Sequence, residues 1–175
     1  MNEIIKAMQE RISIRSFKPD MPDWSDIEQI MDAGLYAPSG MGKQAVITVA
    51  VTNKEIRDKL SVDNCKIGGW KEGFDPFYGA PVILIVLAKK GSFTGVCDGS
   101  LVMGNLMLAA HSLGLVSIWI HRAKEEFEMD EYKKLLADLG IEGEWEGIGH
   151  CAIGFVKGDQ PEAAPRAKNR LYFVK

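Results

Sequence analysis

Apolar residues recur along the chain with two different periods, and those periods divide it into elements. Ile4, Ile5 and Met8 fall on one face of a short helix over residues 3–10. Ile27, Ile30, Met31 and Leu35 keep helical spacing through SDIEQIMDAGLY; Ser25 followed by Glu28 has the form of a capping box, and Pro38 ends the helix. The β-branched run AVITVAVT at 45–52 predicts a strand, and Thr52 with Glu55 repeats the capping-box pattern to open a short helix through Leu60. Residues 61–80 carry glycines and the aromatics Trp70, Phe74, Phe77 and Tyr78 without a period, and read as irregular. PVILIVLA at 81–88 is an unbroken apolar run, the mark of a strand buried on both faces. Residues 97–113 are apolar nearly all round a helix, which predicts burial. LVSIWIH predicts a third strand, KEEFEMDEYKKLLADLG an exposed helix closed by Gly140, and GIGHCAIGFV a fourth strand. Strands alternating with helices predict a layered α/β arrangement, with helices on a central sheet.

Two stretches do not reduce to packing. In RISIRSF, Arg11, Ser13 and Arg15 alternate with Ile12 and Ile14. An extended chain has period 2, so the isoleucines would face a core and the two cations and the hydroxyl would line the other side. Such a row suits a phosphate-bearing ligand; it equally suits the solvent side of an edge strand, and the residues alone favour that plainer reading. APSGMGKQ at 37–44 is a glycine-rich loop between a helix and a strand, able to bring backbone N–H groups close to a flat or anionic ligand, or simply a connection that needs its glycines to turn. It is not a P-loop: Ala37 stands at the first glycine position, Gln44 stands where Ser or Thr would bind magnesium, and the loop follows a helix. No G-x-G-x-x-G opens a helix after a strand, which argues against a Rossmann dinucleotide site. Asp98 reads as a first-turn acid, Asn105 as a helical amide that needs a partner if buried, and Trp119 as core more readily than as a stacking ring.

Composition narrows the classes. A length of 175 residues fits one domain. The net charge of −3, with acids and bases intermixed, argues against nucleic acid as a partner. Apolar runs of about eight residues fall far short of the roughly 20 that cross a bilayer, and the N-terminus does not read as a signal peptide. Cys65, Cys97 and Cys151 form no C-x-x-C pair and read as reduced thiols, so a cytoplasmic location is expected. His111, His121 and His150 show no metal-ligand spacing, and no metal is expected. The tail from Lys157 begins Pro-rich and ends in Leu171, Tyr172 and Phe173, an apolar patch expected to dock on another surface such as a second subunit.

In order along nearly the whole chain, RISIRSF, AGLYAPSGMGKQ, PVILIVLA, CDGSLVMGNLMLAAHSLGLVSIWIH and IGHCAIGFVKG resemble the nitroreductase family of flavin mononucleotide (FMN) enzymes. The first stretch looks like the family's R-x-S-x-R, the second like its A-P-S-G loop with a later glutamine, and the fourth like its Asn-Leu helix and Gly-Leu-x-Ser-x-Trp strand. Many members carry Pro-Trp after that glutamine, where this chain has Ala45 and Val46. The chain is also short, with little room for a lid insertion, so a lid-dependent chemistry such as dehalogenation is not expected.

The resemblance implies a three-layer α+β fold, a mixed central β-sheet flanked by helices, and a domain-interlocked homodimer with FMN at its interface. The whole chain would be one FMN-binding domain, with 161–175 as a C-terminal arm. Arg11 and Ser13 would address the flavin phosphate, and Arg15 the pyrimidine edge, where a fixed cation favours the reduced ring. Pro38, Ser39, Gly40, Gly42 and Gln44 belong to the loop that would border the ring from the partner subunit. Ser117, Ile118 and Trp119 would lie along the ring edge. Arg166 and Lys168 match a basic pair that members carry for the phosphate, with Arg170 as a further candidate. The implied activity is ping-pong transfer of two electrons from NADH or NADPH to a small electron-poor acceptor, a nitroaromatic or quinone, with no side-chain acid or base nominated. A flavin-binding carrier or sensor without turnover is the alternative.

Overall fold

The computed structural model describes residues 1–175. Its centre is the strand the sequence marks most plainly. Strand β2 (Val82–Lys89) has no exposed residue from Val82 to Leu87, and its side chains alternate between two cores. Ile83, Ile85 and Leu87 enter one core; Val82, Leu84 and Val86 enter the other. Strand β1 (Val46–Val51) pairs on one side of it and β4 (Trp145–Gly154) on the other, and β3 (Val116–Ile120) closes the order β1-β2-β4-β3. All three pairings are antiparallel. The sheet is therefore mixed only through one isolated parallel bridge, Ser13 to Ser117. Regular alternation of strand and helix predicts the layers but not the strand order, because strand neighbours are chosen by non-local pairing that local periodicity does not encode.

Helices cover both faces. Helices α2 (Trp24–Leu35) and α4 (Gly95–Ser112) bury Ile27, Ile30, Val102, Met103 and Leu106 against the even positions of β2. Helices α3 (Lys54–Ile67), α5 (Ala123–Glu126) and α6 (Asp130–Asp138) bury Leu60, Phe127, Tyr132 and Leu136 against the odd ones. Helix α1 (Glu3–Glu10) turns its apolar face outward: Ile4, Ile5 and Met8 are all at least half exposed in the single chain. Helix α4 is not buried all round either, since Val96 and Leu101 are exposed. No helix is long and apolar enough to cross a bilayer.

Local competition explains where the elements depart from expectation. Asp23, not Ser25, occupies the N-cap of α2, and Trp24 Nε1 donates to Glu28 Oε1 (2.7 Å), which takes that carboxylate away from a capping box. Asn53 displaces Thr52 as the cap of α3: its Oδ1 accepts from the Ile56 N–H at 3.0 Å, and asparagine is the stronger cap. Helix α3 continues to Ile67 instead of stopping at Leu60, because the polar residues of its second half are buried with partners. Asp63 accepts from the Tyr132 hydroxyl (2.7 Å), and Ser61 Oγ donates to Asp75 (2.7 Å). The helix expected over 124–140 is broken between α5 and α6, where Phe127 turns into the core against Tyr132.

Of the four aromatics in 61–80, Phe77 is core, packed under the Arg57 guanidinium and edge-on to His150. Trp70, Phe74 and Tyr78 form a surface ladder with successive centroids 5.6 and 5.8 Å apart. Residues 158–175 are exposed throughout, so the apolar end does not dock on its own chain.

Candidate functional site

β3 is an edge strand, and the chain leaving α1 lies along its open side. The Ile14 N–H donates to the Ser117 carbonyl (3.1 Å), Ser13 bridges Ser117 in parallel, and the Phe17–Val156 bridge with the Lys18–Phe155 bond (2.8 Å) fixes the far end. Ile12 and Ile14 pack into the core with Ile118. Arg11, Ser13 and Arg15 alternate with them and face away from that core, with Arg15 exposed. The segment is thus extended, and it meets Ser117–Trp119, the other stretch that the family resemblance assigns to the flavin.

On this edge several polar atoms are buried without partners. Arg11 Nη1, Ser117 Oγ and Trp119 Nε1 are shielded and make no hydrogen bond. An unpaired buried polar group costs about 1–3 kcal/mol, and three such groups lie on or beside β3. The indole of Trp119 lies against Gly149 so closely that a Cβ there would sit 2.2 Å from Nε1. Cys151, across from Trp119 in the β3–β4 ladder, is no nucleophile: burial pushes its thiol up to about 12 against the opposing Arg11 charge.

The glycine-rich loop is fastened to the start of α4. The Gly40 N–H donates to Asp98 Oδ1 (3.0 Å), Thr94 Oγ1 donates to Asp98 Oδ2 (2.8 Å), and the Gln44 N–H donates to Ser39 Oγ (3.0 Å). Asp98 is therefore an anchor as well as a first-turn acid. Gly40 is required by close approach, since a Cβ there would fall 2.4 Å from Thr94 Oγ1. Met41, Gly42 and Gln44 all take positive φ (54°, 64° and 47°), and Pro38 and Gln44 are exposed. Asn105 finds its partner in the Ala33 carbonyl (3.1 Å). No hydrogen bond joins this loop to Arg11–Arg15 or to β3 in the single chain. Arg166 and Lys168 lie on the exposed tail, and their side chains make no hydrogen bond or ion pair. The structure brings together Arg11, Ser13, Ser117, Ile118 and Trp119, with Arg15 beside them; it does not bring the loop or the tail cations to them within one chain.

Beyond β3 lies a feature that the sequence reading missed. Asn64 Nδ2 donates to the His121 carbonyl (2.8 Å) and to Glu126 Oε1 (3.2 Å), and Glu126 Oε2 is paired with His150 Nε2. Asn64, Glu126 and His150 are completely buried. The chain they anchor turns at Arg122, a non-glycine residue at φ 84° with its Nε buried and unpaired. Nothing in the local pattern signals this group, because its members come from α3, α5 and β4. No cluster of three His, Cys, Asp or Glu side chains is placed to hold a metal ion.

The chain is thus a three-layer α+β domain with buried, unpaired polar groups on and beside one edge strand. The family model described as Nitroreductase family matches residues 8–64 and 69–155, and the chain belongs to that family. It is 27% identical over 140 residues to the FMN reductase (NAD(P)H) of Bacillus subtilis (strain 168), and this match spans 67% of the chain but only 53% of that relative's length. Among solved structures, a nitroreductase with bound FMN from Bacteroides fragilis NCTC 9343 superposes over 100% of both chains, with TM-score 0.91 and 24% identity. A nitroreductase with bound FMN from Desulfitobacterium hafniense DCB-2 does so over 100% of both with TM-score 0.88 and 26% identity.

Proposed function

We propose that this protein is an FMN-dependent oxidoreductase that passes two electrons from NADH or NADPH to a small electron-poor acceptor such as a nitroaromatic or quinone. The observation that carries the reading is the set of buried, unpaired atoms Arg11 Nη1, Ser117 Oγ and Trp119 Nε1 beside the parallel Ser13–Ser117 bridge. Their chemistry fits FMN. A guanidinium and a hydroxyl suit a phosphate, and hydrogen-bonding groups along an edge strand suit the polar rim of a flavin. Relatives named for FMN and NAD(P)H support the same cofactor and donor.

Arg11 and Ser13 would hold the phosphate, Arg15 the pyrimidine edge, and Ser117, Ile118 and Trp119 the side of the ring. FMN, when bound, supplies the two-electron redox chemistry; the chain positions it and sets its electrostatic surroundings. The loop of Pro38, Ser39, Gly40, Gly42 and Gln44 would come from a second copy, as would Arg166 and Lys168 on the arm 161–175. The exposed apolar residues of α1, the end of α2 and the tail supply surface for such a homodimer: Ile4, Met8, Leu35, Tyr36, Leu171 and Phe173. Free thiols at Cys65, Cys97 and Cys151 suit the reducing cytoplasm.

The test is purification followed by flavin absorbance, FMN reconstitution and steady-state NAD(P)H oxidation with a nitroaromatic. The expected result is a yellow protein that turns over both substrates. Failure to bind FMN overturns the proposal, and FMN binding without turnover leaves a carrier in its place.

A further inference from the structure

The turn after β3 is held more firmly than a connection needs to be. Its His121 carbonyl is fixed by a fully buried asparagine, which is itself tied to the buried Glu126–His150 pair. At the turn stands Arg122 with φ 84°, where glycine would be relaxed and an arginine is strained. Its Nε is buried with no acceptor, and its only acidic neighbour within 4 Å is Glu125, 3.9 Å from Nη1. The remainder of the side chain stays accessible, at 40% exposure. The preceding residue, His121, lies against Trp119 with ring centroids 5.7 Å apart, so the aromatic surface of the ring edge continues to the residue next to Arg122.

Position separates Arg122 from the phosphate end. The segment from Arg11 runs parallel to β3 with Ser13 level with Ser117. Arg122 comes five residues after Ser117, about 17 Å further on if the chain stayed extended, and Arg11 precedes that level. Under the flavin reading, a cation at that end is placed for whatever docks beyond the flavin rather than for the flavin's phosphate. A planar guanidinium recognises an oxyanion best, and the Trp119–His121 surface beside it suits an aromatic ring.

We infer that Arg122 binds the oxyanion of the molecule that docks at this site, making the site selective for aromatic acids over neutral aromatics. The inference rests on the flavin reading above and goes beyond it by assigning the charge of the acceptor.

Arg122→Gly is the direct variant, because glycine tolerates this backbone and should leave the melting temperature equal or raised. Arg122→Asn, also tolerant of positive φ, repeats the test should the glycine variant fold poorly. Dissociation constants of benzoate and of neutral benzamide, measured by calorimetry on FMN-loaded protein, give the readout. FMN and riboflavin affinities are measured in parallel. The expected result is roughly tenfold weaker benzoate binding with benzamide unchanged and the ratio of FMN to riboflavin affinity unchanged. Benzoate binding unaffected by the substitution, or benzoate and benzamide weakened alike, would overturn the inference. A selective loss of FMN over riboflavin would overturn it too, by putting the guanidinium on the flavin phosphate. Wild-type protein that takes up no FMN would overturn the flavin reading itself, which is a different result.

Discussion

At the residue scale, the two arginines of the first extended segment differ in setting, and under the proposed function they would divide a task. Arg11 has a buried, unpaired Nη1, whereas Arg15 is exposed and lies further along β3. Arg11→Ala should weaken FMN binding in both redox states alike and leave the flavin potential nearly unchanged. Arg15→Ala should lower the potential, because a cation near the pyrimidine favours the ring when it carries negative charge. A charge-assisted contact of roughly 1.5–3 kcal/mol corresponds to about 30–65 mV for a two-electron couple, and exposure puts the expected shift near the lower end. Redox titration with flavin occupancy measured alongside checks both; weak binding at an unaltered potential in Arg15→Ala would reverse the assignment. The extended segment was legible in the sequence, because alternation of Arg, Ser and Arg with Ile is itself a geometric statement, whereas the roles of the two arginines came only from the family resemblance. The close approaches were not legible. Nothing in GIGHC says that Gly149 lies beneath the Trp119 indole, since the contact spans two strands.

At the element scale, Arg57 and Ser61 of α3 and the 75–80 turn form one polar clamp. Arg57 Nε donates to the Ala80 carbonyl (3.0 Å) and Nη2 to Asp75 Oδ2 (2.5 Å); Asp75 also accepts from Ser61 and from the N–H groups of Phe77 and Gly79. Burial alone would raise the Asp75 carboxyl, but the hydrogen bonds from Arg57 and Ser61 outweigh it and hold the group below its ordinary value. A carboxyl lowered on folding contributes stability above its unfolded pKa and loses it as the pH falls through the folded one. The clamp should therefore weaken progressively below about pH 4. Asp75→Asn should cost about 1–3 kcal/mol at neutral pH and flatten the acid limb of a denaturation curve measured against pH. An unchanged acid limb would show that other carboxylates control it. Buried polar residues also explain why 61–80 looked irregular: Ser61, Asp63 and Asn64 are buried, and a reading built on apolar period discards such positions. By contrast, β2 was plain because a strand covered on both faces needs nothing but apolar side chains.

At the scale of the whole molecule, apolar surface is left uncovered. Helix α1 turns Ile4, Ile5 and Met8 outward, and the tail from 158 onward packs on nothing in its own chain. The chain should sediment as a dimer at micromolar concentration, with an interface of order 2,000 Å² or more; a clean monomer in analytical ultracentrifugation would count against the second copy. Removal of residues 165–175 should loosen that dimer and lower FMN affinity together. Unchanged mass and flavin content would show the arm to be dispensable. The exposed tail has a further consequence in mass action. If one copy carries Arg11 and another supplies Arg166 and Lys168, the complete grip on the cofactor exists only while two chains are joined. Flavin retention then becomes a function of protein concentration: each tenfold dilution below the dimer's dissociation constant should release cofactor in step with subunits, even with free FMN held constant.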